Sequence, residues 1–307
     1  MKKYQDFYII GVDHGFGNMK TANCCFPSGV ISSDTEPPFT NDLLEWNDKY
    51  YSIGAGHKEY SPDKATDDDY YVLTLAAIAR ELRREHITDA KVFIAAGLPL
   101  TWFDKHRERF IQYLLQHQTV DFTFRRVDYH IKIVGANVSP QGFAAVAEHL
   151  DNFQGNTMLC DIGNGTMNLL RIKNTVPDQT TMATEEYGVY QCVKTVRKAL
   201  MDEHQAKIDE DTITEIVKKG TADIDNAYLQ TAVGAAKRYT AGIFRVLREH
   251  DYDPKLMKLY VVGGGGCLIR HFSEYDRNRV CINADICAAA KGFEYIAYKQ
   301  LVRKGGV

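Results

Sequence analysis

The chain has 307 residues, with 37 Lys and Arg side chains against 40 Asp and Glu, so its formal net charge at pH 7 is −3. Hydrophobic residues make up 45% and charged residues 25%, which is typical of a folded globular protein and excludes an intrinsically disordered chain. The length fits two domains or one large α/β domain. Proteins that hold DNA through its phosphates normally carry an excess of basic residues, so direct nucleic-acid binding is not expected.

No stretch of the sequence approaches the roughly 18–20 apolar residues that cross a membrane. The first six residues are polar and lack the apolar core of a signal peptide, so we expect a cytoplasmic protein with no membrane partner. The seven cysteines form no CxxC pair and have no ligand-like spacing to histidines. We therefore predict reduced thiols and no structural zinc site.

The first predicted element is a β-hairpin. Residues 7–13 form an apolar strand, residues 14–18 a turn rich in glycine and asparagine, and residues 19–26 the returning strand. Residues 27–70 are polar and irregular, with a short strand predicted at 49–53. The elements predicted after them are a helix over 70–86, a strand over 91–99, a helix over 103–117, strands through 122–124 and 129–134, and a helix over 143–150 opened by residues 139–142.

The same order of elements restarts at Asn156. A strand over 157–161 is followed by a glycine turn over 162–165 and a returning strand over 166–172. Helical patterns then predominate. The remaining predicted elements are helices over 189–204, 212–219 and 224–250, a strand over 258–262 that runs into four glycines, a short strand near 279–282, and a final helix over 286–303.

The two hairpins share an internal repeat. Residues 13–19 align without a gap on residues 161–167, and the aspartate, both glycines and the methionine coincide. Each copy follows an apolar strand and precedes another. The repeat predicts a duplicated protein of two related halves, although D-x-G-x-G is short enough to recur by chance.

The glycine-rich turns are suited to binding phosphate, because they expose backbone N–H groups and have no Cβ in the way of an anion. Carboxylates beside phosphate require a hard cation, so Asp13 and Asp161 are candidates for holding Mg²⁺ through water. Lys20 is a candidate phosphate contact or a solvated lysine on a strand face. Residues 263–266 either form a second place where a ligand can approach the backbone closely or form a plain strand-to-helix turn. The sequence has no P-loop, and its match to a Rossmann fingerprint is weak.

Five segments in chain order resemble motifs of the actin, Hsp70 and sugar-kinase superfamily of ATPases. Residues 10–20 and 159–166 resemble its two phosphate loops, residues 139–144 and 283–292 its two inter-domain connections, and residues 260–266 its adenosine motif. The compact length and the phrases G-V-D-x-G-x-G-N-x-K and A-D-x-x-A-A-A-K-G-F are most similar to the ParM/StbA family of plasmid-segregation actins, which polymerise with ATP.

This resemblance implies an α/β, actin-like (ribonuclease H-like) duplicated two-domain fold with a central nucleotide cleft. Domain I would cover residues 1–152 plus 281–307, and domain II residues 153–280. The implied cofactors are ATP or GTP and Mg²⁺. The implied partners are further copies of the chain in a helical filament and a DNA-binding adaptor protein.

The resemblance also implies site residues. Gln141 would orient the attacking water, which an amide does without being a strong base, while Asp13 and Asp161 would organise Mg²⁺. His14 occupies a position that is small or acidic in many relatives, where it would contact phosphate or be exposed, and we favour exposure. Lys237 and Arg238 fall on a helix that flanks the adenine or ribose. The residues implied to contact nucleotide are Gly15, Phe16, Gly17, Asn18, Lys20, Gly163, Asn164, Gly165, Thr166, Gly188, Gly263, Gly264 and Gly265.

The leading hypothesis is therefore an ATP-dependent filament-forming protein that drives plasmid DNA segregation through an adaptor, with hydrolysis controlling polymer stability. A metabolic kinase of the same superfamily is an alternative, but the sequence offers no clear substrate base or anion-binding arginine for it. A non-catalytic nucleotide-binding scaffold is a second alternative. The presence of Asp13, Gln141 and Asp161 argues against lost catalysis.

Overall fold

A computed structural model describes residues 1–39, 41–55, 65 and 67–305 of the chain. Two compact units are present, one made of Met1–Glu148 with Cys287–Val307 and the other of His149–Ile286. The second unit extends to residue 286 because the strand at Val280–Ile282 pairs in its sheet.

The first unit is built on one mixed sheet. Its described strands lie in the order β4-β3-β2-β8-β10-β9-β6-β7-β5, and β1 pairs with β2 beside this path. The three strands β2, β8 and β10 are parallel to one another, and the other pairings are antiparallel. The strands are β1 (Lys2–Tyr4), β2 (Phe7–His14), β3 (Asn18–Lys20), β4 (Cys25–Pro27), β5 (Val30–Ser33), β6 (Leu43–Trp46), β7 (Lys49–Ile53), β8 (Asp89–Leu98), β9 (Thr119–Phe124) and β10 (Val127–Pro140).

Helices cover both faces of this sheet. Alternate residues of a strand point to opposite faces, and Ile10 belongs to the core cluster under α1 (Asp69–Arg84) and α2 (Phe103–Leu114). Ile9 belongs to a separate cluster with Phe293 of α7 (Ala288–Gly305). The close packing of α7 against β8 requires glycine at position 97, because a Cβ there would lie 2.0 Å from the Phe293 ring.

The second unit contains a smaller sheet in the order β13-β12-β11-β14-β15. Its strands are β11 (Asn156–Ile162), β12 (Met167–Lys173), β13 (Val176–Glu185), β14 (Lys258–Val262) and β15 (Val280–Ile282). Its helices are α3 (Val189–His204), α4 (Glu210–Lys219), α5 (Asn226–Glu249) and α6 (Gly266–Phe272). Apolar residues of α3, α4 and α5 share one core cluster with alternate residues of β11.

The two sheets repeat one topology. In the path β4-β3-β2-β8-β10 the successive pairings are antiparallel, antiparallel, parallel and parallel. The path β13-β12-β11-β14-β15 has the same four pairings in the same order. This shared pattern confirms the α/β class and the duplication that the repeated hairpin predicted.

The predicted returning strand over 19–26 is wrong in its middle. The Thr21 backbone donates to the Cys24 carbonyl at 2.8 Å, and the Thr21 hydroxyl accepts from the Cys24 N–H at 3.0 Å. These bonds turn the chain over residues 21–24, so β3 and β4 pair as a second hairpin.

Other differences concern weak sequence patterns, among them the short strands β1, β5 and β6, which were not predicted. β13 was not predicted, because its polar, half-exposed edge sequence lacks an apolar alternation. The helix α6 directly follows the glycine run and was also missed. β10 continues to Pro140, and the predicted helix over 143–150 is a 3-10 helix over Ala144–Asn152.

Candidate functional site

Asp13, at the carboxyl end of β2, is held from two sides within the first unit. Its Oδ2 lies 3.1 Å from Lys20 Nζ, and its Oδ1 accepts a hydrogen bond of 2.9 Å from Gln141 Nε2. Asp13 and Lys20 are register partners in the β2–β3 hairpin, and such cross-strand partners share one face of the sheet. Asp13 is 6% exposed, so Lys20 offsets a nearly buried charge. Lys20, predicted as a phosphate contact, is thus a partner of Asp13.

Gln141 follows β10 directly, and its backbone N–H donates to the Leu98 carbonyl at 2.8 Å. An ionised carboxylate only accepts hydrogen bonds, so the amide of Gln141 presents its nitrogen to Asp13. The Gln141 Oε1 is then left to accept a hydrogen bond from another donor. This is the orientation that a water-positioning amide requires.

Ser28 braces the first glycine turn, a role that the sequence analysis missed. Its hydroxyl donates to the Gly15 carbonyl at 2.6 Å, and its backbone N–H donates to the Gly17 carbonyl at 3.2 Å. The C=O and N–H of a planar trans peptide point in opposite directions. The N–H groups of Phe16 and Asn18 therefore point away from Ser28. A Cβ at Gly15 would lie 2.4 Å from the Asn18 carbonyl oxygen, so the turn requires glycine there.

His14 is fully buried, which corrects the expectation that it is exposed. Its Nε2 lies 2.8 Å from Thr74 Oγ1, and the Thr74 hydroxyl donates to the Tyr70 carbonyl at 2.6 Å. Since that hydroxyl has one proton, His14 Nε2 is the donor to Thr74. The imidazole also contacts the Phe110 ring edge-on, at 5.2 Å between centroids. His14 therefore fastens the start of the turn to α1 and α2.

The second glycine turn, residues 163–166, is bonded to the start of α3. The carbonyls of Gly163 and Asn164 accept from the N–H groups of Val189 and Tyr190, at 3.1 and 2.9 Å. The Gly165 carbonyl accepts from the Gln191 side chain at 2.8 Å. Three successive carbonyls thus point towards α3.

The three N–H groups of the same peptides consequently point away from α3. They belong to Asn164, Gly165 and Thr166, and together they form a concave set of donors of the kind that binds anions. The Gly163 N–H is already used, because it closes the turn on the Thr166 carbonyl at 2.8 Å.

Gly188, which precedes α3, and Gln191 of α3 also support this turn. The Gly188 N–H donates to Gln191 Oε1 at 3.1 Å, which is the one bond of a capping box that a glycine can form at the start of α3. A Cβ at Gly188 would lie 2.2 Å from the Asn164 carbonyl oxygen, so the close contact requires glycine. The glutamine three residues after a helix-capping glycine is the signal by which Gln191 could have been found.

Asp161 and the glycines 263–265 meet at adjacent strand ends. Asp161 is the register partner of Val262 in the parallel pair β11–β14. Gly263 has φ +84°, and a Cβ there would lie 2.5 Å from Asp161 Oδ1. The Gly265 N–H donates to the Ile162 carbonyl at 2.8 Å. A Cβ on Gly264 would meet no described atom within 4 Å, so this residue faces open space.

The structure therefore assembles the predicted residues into two groups. The first unit gathers Asp13, Lys20 and Gln141 beside the turn 15–18. The second unit gathers the turn 163–166 with the predicted residues Asp161, Gly188, Gly263, Gly264 and Gly265. Within the described part of the chain, no three His, Cys, Asp or Glu side chains converge as a metal site. None of the described helices combines the length and apolar character needed to cross a bilayer.

Comparisons with known proteins identify the fold. Residues 11–143 match the family model described as the N-terminal domain of actin-like proteins. This match places an actin-like domain in the first part of the chain. No curated protein sequence matches it significantly.

Solved structures of actin homologues cover almost the whole of this actin-like chain. It is similar to Ta0583, an archaeal actin homologue, with 17% identity over 95% of this chain and 99% of that one and a TM-score of 0.76. It is similar to the actin-like protein Alp7A, with 15% identity over 97% of both chains and a TM-score of 0.75. It is also similar to Bacillus thuringiensis ParM with ATP, with 10% identity over 97% and 100% of the chains and a TM-score of 0.71. These similarities confirm the predicted two-domain actin-like fold.

Proposed function

We propose that this actin-like protein binds and hydrolyses ATP or GTP with Mg²⁺ and assembles into helical filaments. The observation that carries the proposal is the turn 163–166, whose N–H groups are directed away from α3 by three bonded carbonyls. Such oriented donors hold the oxygens of a phosphate without any basic side chain. This agrees with a net charge of −3 in a nucleotide-binding protein.

Each unit contains one candidate phosphate loop. In the first unit the donors are the N–H groups of the turn Gly15–Asn18, which Ser28 braces. In the second unit Gly264 has open space on its α-carbon, so a nucleotide can approach its backbone closely. Solved relatives support nucleotide binding, since one is Ta0583 in complex with ADP and another is ParM with ATP.

The donor set fits a magnesium ion that is held mainly by phosphate and water. Asp13 and Asp161 are carboxylates at strand ends beside the two turns, and the described residues contain no denser cluster of ligands. Mg²⁺ keeps several waters and accepts one or two carboxylates together with phosphate oxygens. When bound, it would neutralise the charge of the phosphates.

Gln141 would position the water that attacks the terminal phosphate. Its nitrogen is engaged by Asp13, so its oxygen accepts a proton of the water and orients a lone pair. Asp13 in turn is held by Lys20, which fixes the position of the amide. Hydrolysis would then depend on positioning and electrostatics, as phosphoryl transfer generally does.

Filament formation is supported by the relatives, among them an Alp12 filament structure that covers 97% of this chain at 17% identity. Identical head-to-tail contacts that do not close into a ring produce a helical filament. Hydrolysis would weaken the lattice. We further propose that the filament segregates plasmid DNA through a DNA-binding adaptor, because the acidic chain offers no excess of basic residues for direct DNA contact.

Sedimentation and phosphate release measured on one sample test this function. Wild type at tens of micromolar should pellet with ATP and Mg²⁺, should not pellet without nucleotide, and should release phosphate. Asp161→Ala should abolish phosphate release, whereas Asp223→Ala, which removes an exposed aspartate of the same unit, should leave it unchanged. Polymer that forms without phosphate release would indicate a scaffold. Phosphate transfer that requires an added metabolite would indicate a kinase.

A further inference from the structure

A surface pocket lies on α5, within the second unit. It is an open pocket of about 650 Å³. Gly242 of α5 lines it together with the aromatic rings of Tyr187 and Tyr239, whose centroids are 5.5 Å apart. The pocket is lined by Glu186, Tyr187, Thr195, Arg238, Tyr239, Ala241, Gly242, Arg245 and Arg248.

Three arginines dominate the charge of this pocket. Arg238, Arg245 and Arg248 are spaced by seven and three residues, which places them on one face of α5. Glu186 is the single acidic residue among the lining side chains, so the lining carries a net charge of +2 in a chain of net charge −3. The pocket therefore attracts anions against the overall charge of the protein.

The arginines are poorly neutralised by the protein itself. Arg245 has an exposed partner, Glu249, with 3.7 Å between Nε and Oε1. Arg238 and Arg248 make no ion pair with the residues that the structure describes. Like charges on one helix face repel one another, so a bound anion would relieve this repulsion as well as accept hydrogen bonds.

The aromatic wall of the pocket is held in place. The Tyr239 hydroxyl donates to the Gly188 carbonyl at 2.8 Å, and Tyr187 lies against Gly242, where a Cβ would be 3.3 Å from its ring. A wall that is ordered before binding lowers the entropy cost of binding.

We propose that this pocket is a binding site for a small anion that carries two or more phosphate groups, separate from the turn 163–166. Guanidinium groups are planar forks that bind phosphate oxygens in pairs, and three of them match a di- or triphosphate better than a single phosphate. The tyrosines and Thr195 would add neutral hydrogen bonds or ring contacts. The pocket places Arg238 among phosphate ligands, whereas the family resemblance placed it beside a nucleotide base or ribose.

Titration calorimetry of the full chain with sodium tripolyphosphate tests the proposal. ADP itself carries two phosphate groups, so it is titrated separately into the same variants. Wild type should bind about one equivalent, and Arg245→Gln with Arg248→Gln should weaken the affinity at least about tenfold, since each charge-assisted hydrogen bond contributes substantially. The matched control is Lys255→Gln with Arg277→Gln, which removes the same charge from exposed positions outside the pocket.

The control pair should bind tripolyphosphate within about twofold of wild type if the pocket, and not overall charge, is responsible. Equal weakening in both double variants would overturn the site, as would no binding by wild type at millimolar tripolyphosphate. A matching loss of nucleotide binding at the turn 163–166 in Arg245→Gln with Arg248→Gln would also overturn it, because the pocket would then belong to the nucleotide site. The outcome is independent of whether the protein hydrolyses ATP, which phosphate release measures separately.

Discussion

Gly188→Ala tests the contact between α3 and the turn 163–166. An alanine Cβ would lie 2.2 Å from the Asn164 carbonyl oxygen, whereas real Cβ atoms essentially never approach within 3.0 Å of such an atom. The difference, about 0.8 Å, is the least distance by which the turn or the helix must move. The backbone of Gly188 is extended, at φ −103° and ψ −179°, so any residue can adopt it. The effect of the substitution is therefore steric and not conformational.

Two magnitudes follow from this displacement. Overpacking of this kind destabilises by about 1–3 kcal/mol. A shift near 1 Å in groups that position a substrate costs roughly 100-fold in rate. We expect Gly188→Ala to lower the free energy of unfolding in urea by about 2 kcal/mol. We expect the affinity for ATP or the rate of phosphate release to fall by about 100-fold.

Gly234→Ala is the matched control for this experiment. Gly234 lies inside α5, where the nearest atom to an added Cβ is 3.6 Å away, in the Arg238 side chain. Alanine in a helix interior is more stable than glycine by about 1 kcal/mol, so this variant should gain stability. The packing argument for the turn is refuted if Gly188→Ala has the same free energy of unfolding in urea as wild type and a rate of phosphate release within about twofold of it.

Three further predictions concern separate parts of the chain. Gln141→Ala should slow phosphate release by about 100-fold in single-turnover assays while leaving stability near that of wild type, because it removes the positioning amide but no core packing. Glu294 is buried, which raises its pKa to about 7 while its carboxylate accepts from the Gly11 N–H at 3.0 Å. Burial favours the protonated form in the folded state, so wild type should lose stability as pH rises from 4.5 to 7, by about 3 kcal/mol relative to Glu294→Gln in urea unfolding. Asp209→Ala should cost about 1 kcal/mol in thermal unfolding, because its carboxylate caps α4 at the Thr212 N–H.

A specific outcome would contradict each of these predictions. Unchanged phosphate release in Gln141→Ala would remove the amide from the reaction. Parallel pH profiles of stability for wild type and Glu294→Gln would show that Glu294 titrates normally. Asp211→Ala, which removes an acidic side chain of the same first turn but no cap, should cost less than Asp209→Ala. Equal losses would mean that charge near the helix end, and not the cap, matters.

The candidate site was largely predictable from the sequence where chemistry is local. The two D-x-G-x-G turns follow apolar strands, and that order alone predicted hairpins with phosphate-suited tips. The pairing of Asp13 with Lys20 was not predicted, since the sequence analysis gave Lys20 as a phosphate contact or a solvated lysine. The supporting residues that were not predicted act through contacts between residues distant in the chain. Ser28 braces the turn from 13 residues beyond Gly15, and Gln191 supports Gly165 from 26 residues beyond it.

The environment of individual residues was decided by tertiary structure. His14 is polar and lies in a turn motif, so the sequence indicated exposure, yet α1 and α2 cover it completely. Thr21 interrupts what the sequence pattern indicates is one strand, because its hydroxyl and backbone close a turn on Cys24.

The length of the chain left open one domain or two, and its net charge of −3 excluded a broadly basic protein. The repeated hairpin decided in favour of two related halves, and local periodicity placed most helices, since both are properties of neighbouring residues. The direction of the N–H groups at residues 164–166 came only with the structure, because it depends on the hydrogen bonds that α3 donates to the carbonyls of residues 163–165. The cationic pocket on α5 likewise came only with the structure, because Glu186 and Tyr187 line it from a part of the chain distant from the three arginines.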